Sequence, residues 1–374
     1  MKSKNTISVK MTGSDGIVLS EDILSYDTID AIDKSGLYKI YEQWPMHAID
    51  AWEKKSRLPE FDVDEVIFAG MGASGIIGEV ISDWLYDASS YSFKTIHQPT
   101  LPSRKDSRAL LFAISASGNT WEVMSAVRRA VDLKWKIITM SEGGALEQLS
   151  RVNGIPHIRV KKFEVPRASF PYLLYSAIRA LHDTRIVEFL AEVEESIETL
   201  VRLQSTLSAK KPFDQNASKK LALWLHGGIP IIYVPYYRHS VGRRFKNGIN
   251  ENAKTHAFVN SLPEVCHNEV MAWECNSAHP FRPILIRDKN DEQKISERFD
   301  GLGDILNKSR YAHSELWTNS ESRLSTLTSE IYALDLASIY LALANGTDPR
   351  PTHTIDELKS RFQDSQAELV PTLL

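Results

Sequence analysis

The stretch Ala109–Ala130, "ALLFAISASGNTWEVMSAVRRA", decides how this chain is read. An unbroken apolar run, "ALLFAI", has the length and composition of a strand. It is followed by Ser115-Ala116-Ser117-Gly118-Asn119-Thr120, and then by apolar residues at helical spacing. Three hydroxyls, a glycine and an asparagine therefore sit at the C-terminal end of a strand. That is where open α/β sheets place their ligands. A helix cap needs one such residue, and here there are several.

The same rhythm continues on both sides. Upstream, "EVIFAG" (65–70) is a short apolar run ending in glycine, "ASGIIGEVISDWLYD" (73–87) an amphipathic helix and "SFKTIHQ" (92–98) a strand. Downstream, "WKIITM" (135–140) and "IPHIRV" (155–160) are strands, with the helix "GALEQLSRV" (144–152) between them. Strands alternating with helices predict a doubly wound α/β fold with a parallel sheet flanked by helices. Helical segments run from about 169 to 225. After them, "IPIIYVP" (229–235) and "RPILIRD" (282–288) are strands, and "HSVGRRFKNGINENAK" (239–254) leads into a helix. "DEQKISERFDGLGDILN" (291–307) and the amphipathic "SEIYALDLASIYLALANG" (329–346) are helices, and "DPRPTHTIDELKSRFQ" (348–363) a proline-marked turn with a last helix. The alternation thus occurs twice.

Leu37 to Lys55 reads as a helix, or a helix pair broken near Pro45. The first thirty residues are polar and mixed, an extension or a loosely packed edge. The expected division is 1–60 as an N-terminal extension with helices, 61–210 as a first α/β domain and 211–374 as a second. The polar stretch within 202–216 marks the boundary.

Composition excludes several classes. The 374 residues suffice for two domains of about 150 residues each. With 44 basic and 48 acidic residues the net charge is −4, which leaves no basic footprint for nucleic acid. No apolar run nears the roughly eighteen residues needed to span a bilayer, and the basic start lacks an apolar signal-peptide core. Cys266 and Cys275 are too few for a disulfide framework, so a reducing, cytoplasmic setting is expected. Cys266, His267 and Cys275 lack the CxxC form of a zinc site, and no other cluster has ligand spacing, so no metal is expected.

Gly70-x-Gly72-x-x-Gly75 follows a strand and precedes a helix. Glycine lets the backbone approach an anion, and the helix start supplies N–H groups. A dinucleotide reading also needs an acidic residue about twenty positions on; the next strand ends instead in His97, Gln98 and Pro99. A ligand-free tight turn remains the alternative. Ser115, Ser117 and Thr120 shift the balance toward a phosphate, which accepts on three oxygens. There is no Walker lysine, which argues against triphosphate hydrolysis.

At these two segments, "GMGASG" and "SASGNT", the chain resembles the sugar isomerase (SIS) domain, in which such loops hold a phosphosugar. "VPRASFPYLLYS", "KNGINENAKTHAF", "PEVCHNEVMAWE" and "GTDPRPTHTIDELKSRF" are similar to the bifunctional phosphoglucose/phosphomannose isomerases. The resemblance covers roughly Val66 to the C-terminus. It implies two SIS-type subdomains and a metal-independent, cofactor-free isomerase of hexose 6-phosphates. It implies that Gly72, Ser74, Ser115, Ser117 and Thr120 bind the substrate phosphate. Glu251 would be the catalytic base and Arg167 the arginine beside the reacting carbons. His267 would open the sugar ring, reaching the neighbouring subunit's site in a homodimer. Lys359 would stand near the ring oxygen, and Thr352 would leave room for the C2 epimer. Ala73 and Ala116 depart from residues commonly glycine and aromatic in those motifs, and Gly248 stands where glutamine is usual.

The chemistry is coherent. One carboxylate can carry a proton between C1 and C2 through a cis-enediol, an arginine stays charged beside the developing enediolate, and a histidine titrates near neutrality. Each residue has a plainer reading. Glu251, Arg167 and Lys359 are residue types common on solvated faces, His267 could start a helix, and Thr352 could cap the last one. Two other functions fit parts of the pattern. A non-catalytic phosphosugar sensor would keep the loops but normally adds an effector domain. A glutamine-dependent aminosugar synthase would need an N-terminal cysteine.

Overall fold

The computed structural model describes residues 6–12, 21–103, 108–274 and 280–361. Strand β1 (Thr6–Thr12) precedes helices α1 (Tyr26–Ile32), α2 (Leu37–Glu42) and α3 (Trp44–Glu53). Then come β2 (Glu65–Ala69), α4 (Gly72–Trp84), β3 (Ser92–Ile96), β4 (Ala109–Ile114), α5 (Trp121–Asp132), β5 (Lys136–Ser141), α6 (Gly144–Val152) and β6 (His157–Arg159). Helices α7 (Phe170–Asp183), α8 (Leu190–Leu207) and α9 (Ala217–Leu225) follow. The chain continues with β7 (Ile229–Pro235), α10 (His239–Asn252), β8 (Phe258–Leu262), β9 (Phe281–Asp288), α11 (Gln293–Lys308), β10 (His313–Asn319) and α12 (Arg323–Ala344). Residues 353–361 are helical again. The helix pair near Pro45 is present. Pro45 does not break it: the break is at Gln43, and Pro45 occupies the first turn of α3, where a missing N–H costs nothing.

Contacts divide the chain into two units. One comprises Met46–Phe189 and the segment beginning at Thr352. The other comprises Leu190–Pro351 and the segment ending at Pro45.

The first of these holds a five-stranded parallel sheet in the order β3-β2-β4-β5-β6. Alternate residues of its strands serve opposite faces. Ile67, Leu111, Ala113 and Ile137 pack with Val123, Val127, Leu146 and Leu149 of α5 and α6. Phe68 stacks between Phe93 and Phe112 on the other face, against Gly78 of α4. Strand order reverses at β2, because β3 lies on one side of it and β4 on the other. The crevice outside the ends of β2 and β4 is thus the topological switch point, the place where such sheets take ligands. The two loops singled out in the sequence, 70–75 and 115–120, are the loops at that point.

The second unit has the order β1-β10-β9-β7-β8, with β7 to β10 parallel and β1 antiparallel on the edge. The "loosely packed edge" at the N-terminus is this strand. It pairs Thr6 with Asn319 and Thr12 with His313. Covering β10 in this way lets a polar strand lie inside. Glu315 meets Arg287 at 3.3 Å, and His313 Nδ1 lies 2.9 Å from the Thr12 hydroxyl.

Helix α12 was expected to be amphipathic and is not. Every residue from Leu324 to Leu343 is buried, because α8, α9 and α10 surround it. By length and hydropathy it could cross a bilayer, but 94% of that window is covered within the fold, which is the state of a core helix. Several of its polar residues have partners. Ser325 donates to Thr199, Asp335 pairs with Arg244, and the Tyr340 hydroxyl donates to the Leu207 carbonyl.

Glu330 of α12 is the costly one. It accepts from Thr318 and lies 3.5 Å from Arg238, which also pairs with Asp291 at 2.9 Å. Burial pushes its carboxyl from 4.5 up to about 8, against the pull of Arg238. Below pH 4.5 the group is protonated whether the chain is folded or not. Between there and about pH 8 the unfolded chain releases a proton that the fold retains, so stability falls as pH rises through that window. Glu330→Gln is expected to flatten this fall. Melting temperatures across the window check it, and parallel slopes in both proteins would contradict it.

Candidate functional site

The switch-point loops are joined by hydrogen bonds. The Ala116 N–H donates to Ser74 Oγ at 3.3 Å, so the glycine turn and the hydroxyl loop form one surface. Ser115 and Thr120 share a hydroxyl–hydroxyl bond of 2.8 Å, and the Gly118 N–H donates to Ser115 Oγ at 3.1 Å. Asn119 Oδ1 accepts from the Ala145 N–H, which ties the loop to the start of α6. Gly118 is required here. Its φ is +70°, and a Cβ would lie 1.8 Å from the Gly143 carbonyl oxygen. Ser74 and Ser115 are buried, Thr120 half-buried and Ser117 exposed.

The capping alternative fails for these hydroxyls. Met71 precedes α4 and Thr120 precedes α5, and neither helix has a side-chain cap. Two helix starts thus aim first-turn N–H groups and positive dipole ends at the same crevice. Gly72, with φ +52°, opens α4 with no side chain in the way. The structure therefore brings together five residues singled out in the sequence: Gly72, Ser74, Ser115, Ser117 and Thr120.

Arg167 stands in the same unit, on a 3-10 turn (Pro166–Ser169) that packs on α4. It is buried at 6% exposure. A shallow hollow beside this turn is lined by Ala116, Glu142, Lys161, Phe163, Pro166 and Ser169. Ala116 and the arginine turn thus share one recess. Lys161 and Glu142 went unnoticed in the sequence, because nothing in "RVKKFEVP" or "TMSEGG" marks them apart from solvated charges.

Thr352 begins the helix at 353–361. Its hydroxyl donates to Asp356 Oδ2 at 3.3 Å and its carbonyl accepts from the Asp356 N–H. That helix is exposed along its described length, Lys359 included. Among the described residues, no hydrogen bond or ion pair joins Lys359 to the two loops. The sequence beyond 361 lies outside the described residues.

Glu251 and His267 belong to the other unit. Glu251 is half-buried in the last turn of α10, and its charge is felt by Arg244 two turns earlier. The helix is held against α12 by Arg244, which donates to both Asp335 carboxylate oxygens at 2.6–3.2 Å, and by Asn252, which donates to Ser338. Gly248 has a structural reason: a Cβ there would lie 3.0 Å from Ser338 Oγ. His267 closes a 3-10 turn (Glu264–His267) and is exposed. The segment behind it is anchored by Glu269, which accepts from Tyr233 and Asn260 at 2.7 Å each. Burial pushes the neighbouring Cys266 thiol up, away from a thiolate ligand. Cys275 lies outside the described residues, and among the described residues no cluster could hold a metal.

Two sheets of this order, parallel except for the edge strand β1, with uncapped helix starts and hydroxyls at a switch point, are what the resemblance to the SIS class implies. The family described as bacterial phospho-glucose isomerase C-terminal SIS domain matches residues 214–362. The bifunctional phosphoglucose/phosphomannose isomerase of Aquifex aeolicus is 30% identical, covering 80% of this chain and 90% of that protein. The D-glucosamine-6-phosphate 4-epimerase of Sulfolobus acidocaldarius is 31% identical over 69% of this chain and 79% of that protein. The solved glucose-6-phosphate isomerase of Chlamydia trachomatis has the same fold, with a TM-score of 0.63 at 10% identity, covering 96% of this chain and 81% of that one. The chain belongs to the family of the bifunctional phosphoglucose/phosphomannose isomerases.

Proposed function

We propose that this chain is an aldose–ketose isomerase that interconverts glucose 6-phosphate, and mannose 6-phosphate, with fructose 6-phosphate. The observation that carries the reading is the pair of uncapped helix starts with joined hydroxyl loops at one switch point, in a member of this family. Ser74, Ser115, Ser117, Thr120 and the backbone at Gly72 hold the phosphate. Glu251 takes the proton from one carbon and returns it to the other through a cis-enediol. Arg167 balances the negative charge of that intermediate, and its burial makes the charge effective. His267 and Lys359 open the ring, with His267 acting in the site of a partner copy, which its exposure allows. Thr352 leaves space for the C2 epimer. The proton transfer needs neither metal nor redox cofactor.

The test is NMR of fructose 6-phosphate with the protein. Glucose 6-phosphate and mannose 6-phosphate are expected together. Glucose 6-phosphate alone would remove the mannose assignment, and neither product would overturn the reading. The likeness to the epimerase supports a second reading, action on an amino-hexose 6-phosphate. Glucosamine 6-phosphate in a parallel tube decides it, since only that reading expects a new sugar there.

Thr120→Val tests the phosphate loop. It removes one hydroxyl and the partner of Ser115. A hydrogen bond to a charged group is worth about 1.5–3 kcal/mol, so KM should rise roughly tenfold to a hundredfold with kcat changed less. An unchanged KM would move the phosphate elsewhere.

A further inference from the structure

His97 directly follows β3, and its ring bridges the glycine turn. Its Nδ1 is 3.0 Å from the Gly70 carbonyl oxygen, and its Nε2 is 2.6 Å from Glu79 Oε1. A carbonyl and a carboxylate both accept. A neutral imidazole donates from one nitrogen only, so the doubly protonated ring is the form that satisfies both bonds. The ring also sets the residue at 75. A Cβ there would lie 2.7 Å from its Cε1 and Nδ1. His97 therefore touches both ends of the turn 70–75 and, through Glu79, the second turn of α4.

Neither phosphate loop, "GMGASG" nor "SASGNT", carries a lysine or arginine. We propose that His97, as an imidazolium, is a positioning residue for the phosphate-binding turn and neutralises the Glu79 carboxylate beneath it. This rests on the phosphate reading given above. The acidic groups on the elements packed against β3 are Glu79 and Asp83 of α4 and Glu65 of β2. Glu65 is paired with Lys94 at the far end of the strands, at 2.6 Å. Glu79 is the one that bonds the ring. When the ring loses a proton, one of the two bonds fails and Glu79 is left as an uncompensated negative charge beneath the turn.

Sulfate tests this as a competitor of hexose 6-phosphate, because it stays a dianion from about pH 6 to about pH 9 and any titration belongs to the protein. In the unaltered protein the sulfate inhibition constant should weaken about tenfold across that range, the scale of one nearby charge. His97→Gln should bind sulfate weakly at every pH, with KM raised more than kcat is lowered. Glu79→Gln should keep the turn, because its amide can donate to Nε2 of a neutral His97 that still donates to Gly70. Its sulfate profile should flatten. Identical profiles in the unaltered protein and His97→Gln would overturn the proposal while leaving the phosphate site in place. Sulfate that never competes with substrate would overturn the phosphate reading, and this inference with it.

Discussion

Glu251→Gln is expected to leave hexose 6-phosphate binding within a few-fold and to cut turnover by about 10²- to 10⁴-fold, the usual weight of a positioned acid–base group. The amide fills the same volume and keeps the last turn of α10 in place. It cannot carry a proton from C1 to C2. The helix is otherwise held by Arg244–Asp335 and Asn252–Ser338, neither of which the substitution touches directly. Measuring kcat and KM for fructose 6-phosphate, with melting temperature as the control for folding, separates the outcomes. Near-normal kcat would remove Glu251 as the base. A large rise in KM at constant kcat would make it a binding group instead.

Asp335→Ala is expected to cost about 3–5 kcal/mol and lower the melting temperature by roughly 10 °C, because it leaves the Arg244 guanidinium buried without its carboxylate. Both partners are almost fully covered, at 4% and 1% exposure, so water cannot replace the lost oxygens. Asp335→Asn, which keeps hydrogen-bond capacity, should fall between the two and serves if the alanine variant does not fold. A melting temperature within about 2 °C of the parent for both would contradict the account.

The first sheet was legible because its strands β2, β4 and β5 are apolar runs closed by a glycine or hydroxyl turn. Thus "GALEQLSRV" was placed at its observed bounds, and the switch-point loops followed from strand ends alone. Strands β8 and β10 were not. "FVNSL" is a partly exposed edge strand, and "HSELWTN" owes its burial to β1, some three hundred residues earlier in the chain. Such pairing leaves no local periodicity. The buried face of α12 was misread for a related reason: its Glu330 and Asp335 look like a solvent side until Arg238 and Arg244 are in place. The loop hydroxyls were recognisable because several crowd one turn. Arg167, Glu251, His267, Lys359 and Thr352 are single residues of common types, singled out by their surroundings in a family. His97 was noted only as the end of a strand, since its two acceptors come from elements 18 and 27 residues away.

The most direct measurement is isomerisation in D2O. Fructose 6-phosphate is incubated with the protein and excess chelator, and the products are followed by proton and deuterium NMR. Proton transfer through an enediol should yield glucose 6-phosphate carrying deuterium at C2 in a clear fraction of molecules, and Glu251→Gln should suppress both product and label. No aldose product, or a Glu251→Gln variant that forms labelled aldose at the rate of the unaltered protein, would contradict the account.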